Sequence, residues 1–146
     1  MGKRRRAREL ALQVLFHLEY SPGDLEESFN RVCSCFSPPK ETRPFARQLV
    51  RGVFENREDL DKLIAKSSKN WRVERMSRVD RNVLRMAVFE VVYVKEIPPK
   101  VSIDEAVELG KRFGTEESGA FINGVLDHIY NSFFTEREDE KDKREL

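Results

Sequence analysis

One stretch, residues 77–94, decides what the rest of this chain must do. Val83, Leu84, Met86, Ala87, Val88, Val91, Val92 and Val94 spread around most of the circumference of a helix. A helix that is apolar on nearly every side is stable in water only when other elements surround it. Ser77, with Asp80 three residues on, has the S-x-x-D form of a capping box, which satisfies orphan amides at a helix start. The β-branched residues would also suit a strand, but the run is long for one and lacks period-two alternation. The segment reads as a central buried helix, and the remaining sequence has to supply its cover.

That cover is helical throughout. Ala7, Leu10, Ala11, Val14, Leu15 and Leu18 repeat with a helical period over residues 4–20, while Leu12, Phe16 and Tyr20 form a second apolar line on the opposite side that needs a partner of its own. Ser21-Pro22-Gly23-Asp24 offers a capping serine, a first-turn proline and an acid for a second helix carrying Leu25, Phe29, Val32 and Phe36, which Ser37-Pro38-Pro39 ends. Phe45, Leu49, Val53 and Phe54 mark a third helix, and Asn56 with Asp59 reads as the cap of a fourth holding Leu60, Leu63 and Ile64. Residues 67–76 form a connector with room for one helical turn. After Ile97-Pro98-Pro99, Ser102 and Glu105 suggest a second capping box ahead of Val107, Leu109 and Phe113, with Gly114 as a left-handed terminator. Phe121, Ile122, Val125, Leu126, Ile129, Tyr130 and Phe133 give a last helix over 118–134, in which Gly124 suggests the close approach of another backbone. The expectation is an all-α single domain of six or seven helices over residues 1–134. The charged, apolar-poor residues 135–146 cannot offset their ordering entropy by burial and should form a disordered tail.

Composition excludes several function classes. Lys and Arg total 27 against 26 Asp and Glu, so no global field attracts a polyanion and any basic site must be local. No run is long and apolar enough for a membrane span, and the basic start leads into no signal-type core, so a cytoplasmic protein without membrane contact is expected. Cys33 and Cys35 are the only cysteines, too few for a disulfide framework or a four-ligand zinc site, and both read as packed thiols. With no HExxH, phosphate loop or GxGxxG, neither enzymatic activity nor a cofactor is expected.

Three places remain. Lys3, Arg4, Arg5, Arg6 and Arg8 precede the first acid and open a helix, which suits phosphate contacts that release counterions; the same residues could be a solvated terminus. Arg78, Arg81 and Arg85 form one stripe on the central helix, either paired with acids of a neighbour or presenting a second contact surface. Around residues 113–121 a helix start with unpaired amides lies beside Ser118 and Phe121, where an unpaired base could stack; taken alone, Phe121 reads as core and Glu116 and Glu117 as ordinary first-turn acids.

Taken together, Arg4-Arg5-Arg6-Ala7-Arg8-Glu9 with Ala11 and Leu15, the central Val79-Asp80-Arg81-Asn82-Val83-Leu84-Arg85-Met86-Ala87 with Glu90, and a long closing run strongly resemble the NusB family. The closing run contains Ile97-Pro98, Lys100-Val101-Ser102-Ile103-Asp104-Glu105-Ala106-Val107-Glu108-Leu109, Phe113-Gly114 and Phe121-Ile122-Asn123-Gly124-Val125-Leu126-Asp127. The resemblance implies an all-α bacterial transcription factor that binds single-stranded boxA RNA together with ribosomal protein S-ten (NusE), within the RNA polymerase antitermination complex, notably on ribosomal RNA operons. By motif match it implies RNA contacts from Lys3, Arg4, Arg5, Arg6 and Arg8 and from Glu117, Ser118 and Phe121. It places Asp80, with Arg81 beside it, toward the ribosomal protein. Some members form homodimers, for which Leu12, Phe16 and Tyr20 are a plausible contact. The competing reading is a helical protein-interaction scaffold without direct RNA contact.

Overall fold

The computed structural model describes residues 2–69 and 72–145, with side chains described as far as residue 133. The expectation for residues 135–146 therefore lies outside the described side chains. Six helices follow one another: α1 (Lys3–Tyr20), α2 (Leu25–Phe36), α3 (Arg43–Ser67), α4 (Arg78–Tyr93), α5 (Pro99–Phe113) and α6 (Ser118–Glu145), with short 3-10 turns at Lys40–Thr42 and Val73–Arg75. No strand occurs among the described residues.

As its composition demands, α4 lies at the centre and packs against α1, α3, α5 and α6. Ten consecutive residues of α4, Asn82 to Val91, are buried. Ser77 caps the helix as expected, its hydroxyl accepting from the Asp80 amide at 3.1 Å. α3 and α4 approach closely at Gly52, where a Cβ would strike the ring of Phe89. Gly124 has nothing within 4 Å of such a Cβ, so the expected close contact there is absent.

Elsewhere the local signals competed and the structure shows which won. Asp24, not Ser21, caps α2, its carboxylate accepting from the Glu26 amide at 2.9 Å. The third and fourth expected helices are one helix, α3, with non-helical backbone at Asn56 (φ −113°, ψ 15°) and the Asn56 amide nitrogen donating to Gly52 O at 2.8 Å. Asn56 thus marks a kink where a new start was expected. Pro99 begins α5 three residues ahead of Ser102, which frees the Ser102 hydroxyl for the core. Cys33 is buried as expected, but Cys35 is exposed. Leu12 is only 1% exposed, because α1 is covered by α2, α3 and α4 on several sides; the apolar line shrinks to a half-buried Phe16 and an exposed Tyr20.

Two charged clusters hold the helices in register. In the first, Arg8 of α1 and Glu90 of α4, both nearly without solvent contact, share three hydrogen bonds of 2.6 to 3.2 Å. The Ser102 hydroxyl of α5 donates to Glu90 Oε1 at 3.0 Å, and the Arg8 guanidinium lies 5.5 Å from the centre of the Phe45 ring of α3. In the second, Glu19 at the end of α1 accepts from Arg81 at 2.8 Å through both oxygens and from Arg85 at 3.1 Å, while Arg85 grips Asp61 of α3 at 2.8 and 3.1 Å. Burial works to raise the Glu19 carboxyl, but the hydrogen bonds and charges of Arg81 and Arg85 outweigh it and hold the group below the usual carboxylate range.

Removing one member of a buried ion pair leaves the other charge desolvated and alone. Arg8→Met should cost about 3–5 kcal/mol in denaturant unfolding, and adding Glu90→Met should recover most of the loss. A single variant as stable as wild type would contradict this account. Because the folded Glu19 carboxyl lies below its unfolded value, its contribution is complete above the ordinary carboxylate range and is lost as pH falls through the lowered value. Glu19→Gln should therefore be less stable than wild type at neutral pH, with the two curves converging on acidification in a pH series of melting temperatures.

Candidate nucleic-acid interface

The basic start of α1 divides by helical position. Arg8 points inward to Glu90, so the structure corrects the expectation that it faces RNA: its Nε and Nη2 donate to Glu90 and it is 3% exposed. Arg5, one helical step round, is pinned at the surface to Glu105 of α5 by two hydrogen bonds of 3.0 and 2.9 Å. The hydrogen bond from Arg5 holds the Glu105 carboxyl below its ordinary range against the opposing effect of burial, and the same bond raises the guanidinium. Arg4 lies over the Phe45 ring at 5.6 Å. Lys3 and Arg6 are exposed and make no ion pair among the described residues. Alongside them, a groove of about 380 Å³ runs between α1 and α5, where Glu9 is ion-paired with Arg112.

The stripe on α4 follows the reading in which its arginines pair with neighbouring acids. Arg81 is committed to Glu19 and to Met76 O at 3.0 Å, and Arg85 is buried between Glu19 and Asp61. Arg81 is therefore turned toward the end of α1, with its side chain still partly exposed. Arg78 remains half exposed, with its guanidinium 5.8 Å from the Tyr20 ring.

At the start of α6 the chain turns tightly. The Gly114 amide donates to Gly110 O at 2.9 Å, and the Ser118 hydroxyl accepts from the Thr115 amide at 2.9 Å. Gly114 is not left-handed (φ −99°, ψ −155°), contrary to expectation. Glycine is required there by space, since a Cβ would strike the Ser118 hydroxyl and come within 2.7 Å of Gly110 O. Ser118 is 1% exposed, so its hydroxyl closes the turn and does not face a ligand as expected. Glu117 is exposed, and Phe121 is half-buried against the core.

Glu117 and Phe121 line a cleft of about 140 Å³ together with Thr115, and its other wall is Arg75, Met76, Ser77 and Asp80 from the approach to α4. Two features that are 40 residues apart in sequence, the capped start of α4 and the start of α6, thus share one site. Met76 was missed by sequence reasoning, and Arg75 and Thr115, though part of a basic row and of the segment before α6, were not singled out as site residues; the capping box places Ser77 and Asp80 but not the element opposite them. Asp80 and Glu117 bring acceptors, Met76 and Phe121 apolar surface, and Arg75 a cation, a set able to hold a flat polar ring.

Comparison with known proteins adds a family. The sequence pattern of the NusB family matches residues 5–131. Transcription antitermination protein NusB of Desulfatibacillum aliphaticivorans is 48% identical over 97% of this chain and 99% of its own length. That of Desulforapulum autotrophicum is 53% identical over 88% of this chain and 92% of its own. Among solved structures, T. maritima NusB has 42% identity and a TM-score of 0.79, covering 86% of this chain and 89% of its own. NusB in a complex of antitermination factors NusB and NusE with double-stranded RNA has 30% identity and a TM-score of 0.81, covering 90% and 98%. Since the Ser118 hydroxyl accepts from the Thr115 amide and closes the turn, Ser118→Ala should cost about 0.5–1.5 kcal/mol in thermal unfolding; an unchanged melting temperature would mean the turn closes without it.

Proposed function

The chain belongs to the NusB family, and from that footing we propose a transcription antitermination factor that binds boxA RNA together with ribosomal protein S-ten (NusE) and helps RNA polymerase read through terminators. The observation that carries the RNA contact is the contrast between two sets of cations. On α4, Arg81 and Arg85 are absorbed by carboxylates, whereas Lys3, Arg4 and Arg6 at the start of α1 stay at the surface, with Arg5 held half exposed beside them. Phosphates of a strand would meet those four side chains, and Arg8 would serve only to hold α1 in place. Bases would be held at the cleft of Glu117 and Phe121, where Asp80, expected at the ribosomal-protein surface, also lies; RNA and protein partner would converge there.

This role involves binding and no bond-making step, which fits a regulatory protein without enzymatic activity. The RNA-binding unit would be residues 1–134. Among the described residues no helix is long and apolar enough to cross a membrane, and the proposed site of action is the cytoplasm, where transcription occurs.

Filter binding of single-stranded boxA RNA, with and without the ribosomal partner, tests this reading. Affinity should fall steeply with salt and rise with the partner. Replacing Lys3, Arg4 and Arg6 with Ala should lower the log–log salt slope by about 2, at ~0.7 per phosphate contact on a single strand, with the melting temperature little changed. Indifference of binding to salt and to these substitutions would favour the protein-interaction scaffold.

A further inference from the structure

A groove of about 540 Å³ opens where the end of α1 and the loop after it meet α3 and the first turns of α4. Part of its lining is apolar: Leu15 and Leu18 of α1, Val53 of α3 and, standing more than half exposed, Phe54. Much of the rest is cationic, with the guanidiniums of Arg57, Arg78, Arg81 and Arg85 against the single carboxylate of Glu19. Even with Asp61 counted beside Arg85, the cations are in excess. Both acids are already taken, since Glu19 accepts from Arg81 and Arg85 at 2.8 to 3.1 Å and Asp61 accepts from Arg85 at 2.8 and 3.1 Å. Arg57 is left 4.0 Å from Asp61 and Arg78 3.8 Å from Glu19, each more than half exposed and without a hydrogen bond among the described residues. The charges thus form a row that runs Arg57, Asp61, Arg85, Glu19, Arg78, with a cation at either end. Exposed ion pairs at such distances contribute little, so both end guanidiniums keep their donors for a ligand that enters.

We infer that this groove docks an acidic amphipathic helix of a protein partner, with its apolar residues on Leu18 and Phe54 and its carboxylates on Arg57 and Arg78. Such a helix presents apolar side chains at i, i+3, i+4 and i+7 and leaves the flanking positions for acids, which matches an apolar lining with a cation at either end of its charged row. Guanidiniums hold carboxylates through paired hydrogen bonds, so the two end arginines fix the register of the helix while the apolar contacts supply affinity. A nucleic-acid strand suits the groove less well, because Glu19 stands between the end cations and Phe54 is the one aromatic ring in the lining among the described residues. A basic, RNA-binding protein meets the wrong sign of charge here. The groove uses none of the cations at the start of α1 and goes beyond the RNA reading above.

Fluorescence anisotropy and amide NMR on the full chain test this with a labelled synthetic helix carrying leucines at i, i+3, i+4 and i+7 flanked by glutamates. One control peptide has glutamine for every glutamate, and another has the same composition in scrambled order. The acidic amphipathic helix should bind, more weakly as salt rises, and should move the amides of residues 15–23, 53–57 and 78–85. Phe54→Ala should weaken it about tenfold, and Arg57→Ala combined with Arg78→Ala about tenfold again. Melting temperatures should change little, because these side chains are exposed. The variant with Lys3, Arg4 and Arg6 replaced by Ala should bind the helix as wild type does, so that failure here and failure of the RNA reading are told apart. Absence of binding, equal binding of either control peptide, or shifts confined to other amides would overturn the proposal. It would equally be overturned by a uridine tract that moves the groove amides and displaces the helix, by groove amides that move with protein concentration alone, as for a second copy, or by ones that move when residues 135–146 are removed.

Discussion

The buried pair of Arg8 and Glu90 sets the rotation of the first helix, and most of the surface follows from it. Charges inside a protein persist only when geometry and further hydrogen bonds compensate for lost water, and here Ser102 supplies a third partner and Phe45 an aromatic face. Three helices and part of a fourth meet at this point. With Arg8 inward, the residue one turn earlier, Arg4, falls on the same side and reaches the same Phe45 ring. Arg5 and Glu9, again one turn apart, both face α5, where each finds an opposite charge. Lys3 and Arg6 take what remains, which is solvent. A run of cations that looks uniform in the sequence is sorted by one contact into structural and accessible members.

The same sorting acts on the central helix. Its arginines at three- and four-residue spacing look like a binding stripe, yet they sit beside Glu19 and Asp61, and a carboxylate a few ångströms away on a fixed scaffold outcompetes a ligand that must be brought from solution. Arg81 and Arg85 therefore lock the end of α1 and the second half of α3 onto α4.

Much of this architecture was legible in the sequence because helix periodicity and caps are local properties. The apolar circumference of residues 77–94 marked the central helix, and Ser77 with Asp80 marked its first turn. Where two local signals overlapped, reading them was a choice between competing chemistries: Pro99 at a first helical position prevailed over the capping pattern of Ser102 and Glu105, and Asp24 prevailed over Ser21. Asn56 carried a real backbone irregularity, but the apolar faces on either side kept one helix running through it. The rotation of each helix was not legible, since it depends on which carboxylate an arginine meets across the fold. Leu12, Arg8 and Ser118 were misplaced for that reason, and the meeting of Asp80 with Glu117 and Phe121 could not be foreseen from either motif alone.

The clamp between Arg5 and Glu105 carries a kinetic meaning. A long cationic side chain on an open surface samples many rotamers, and gripping a ligand normally freezes them at the moment of capture. Arg5 gives its Nε and Nη2 to Glu105 and keeps Nη1 clear of that contact. Its immobilisation thus took place when the helices docked, so a ligand reaching this surface would meet a guanidinium whose plane and bearing were chosen in advance.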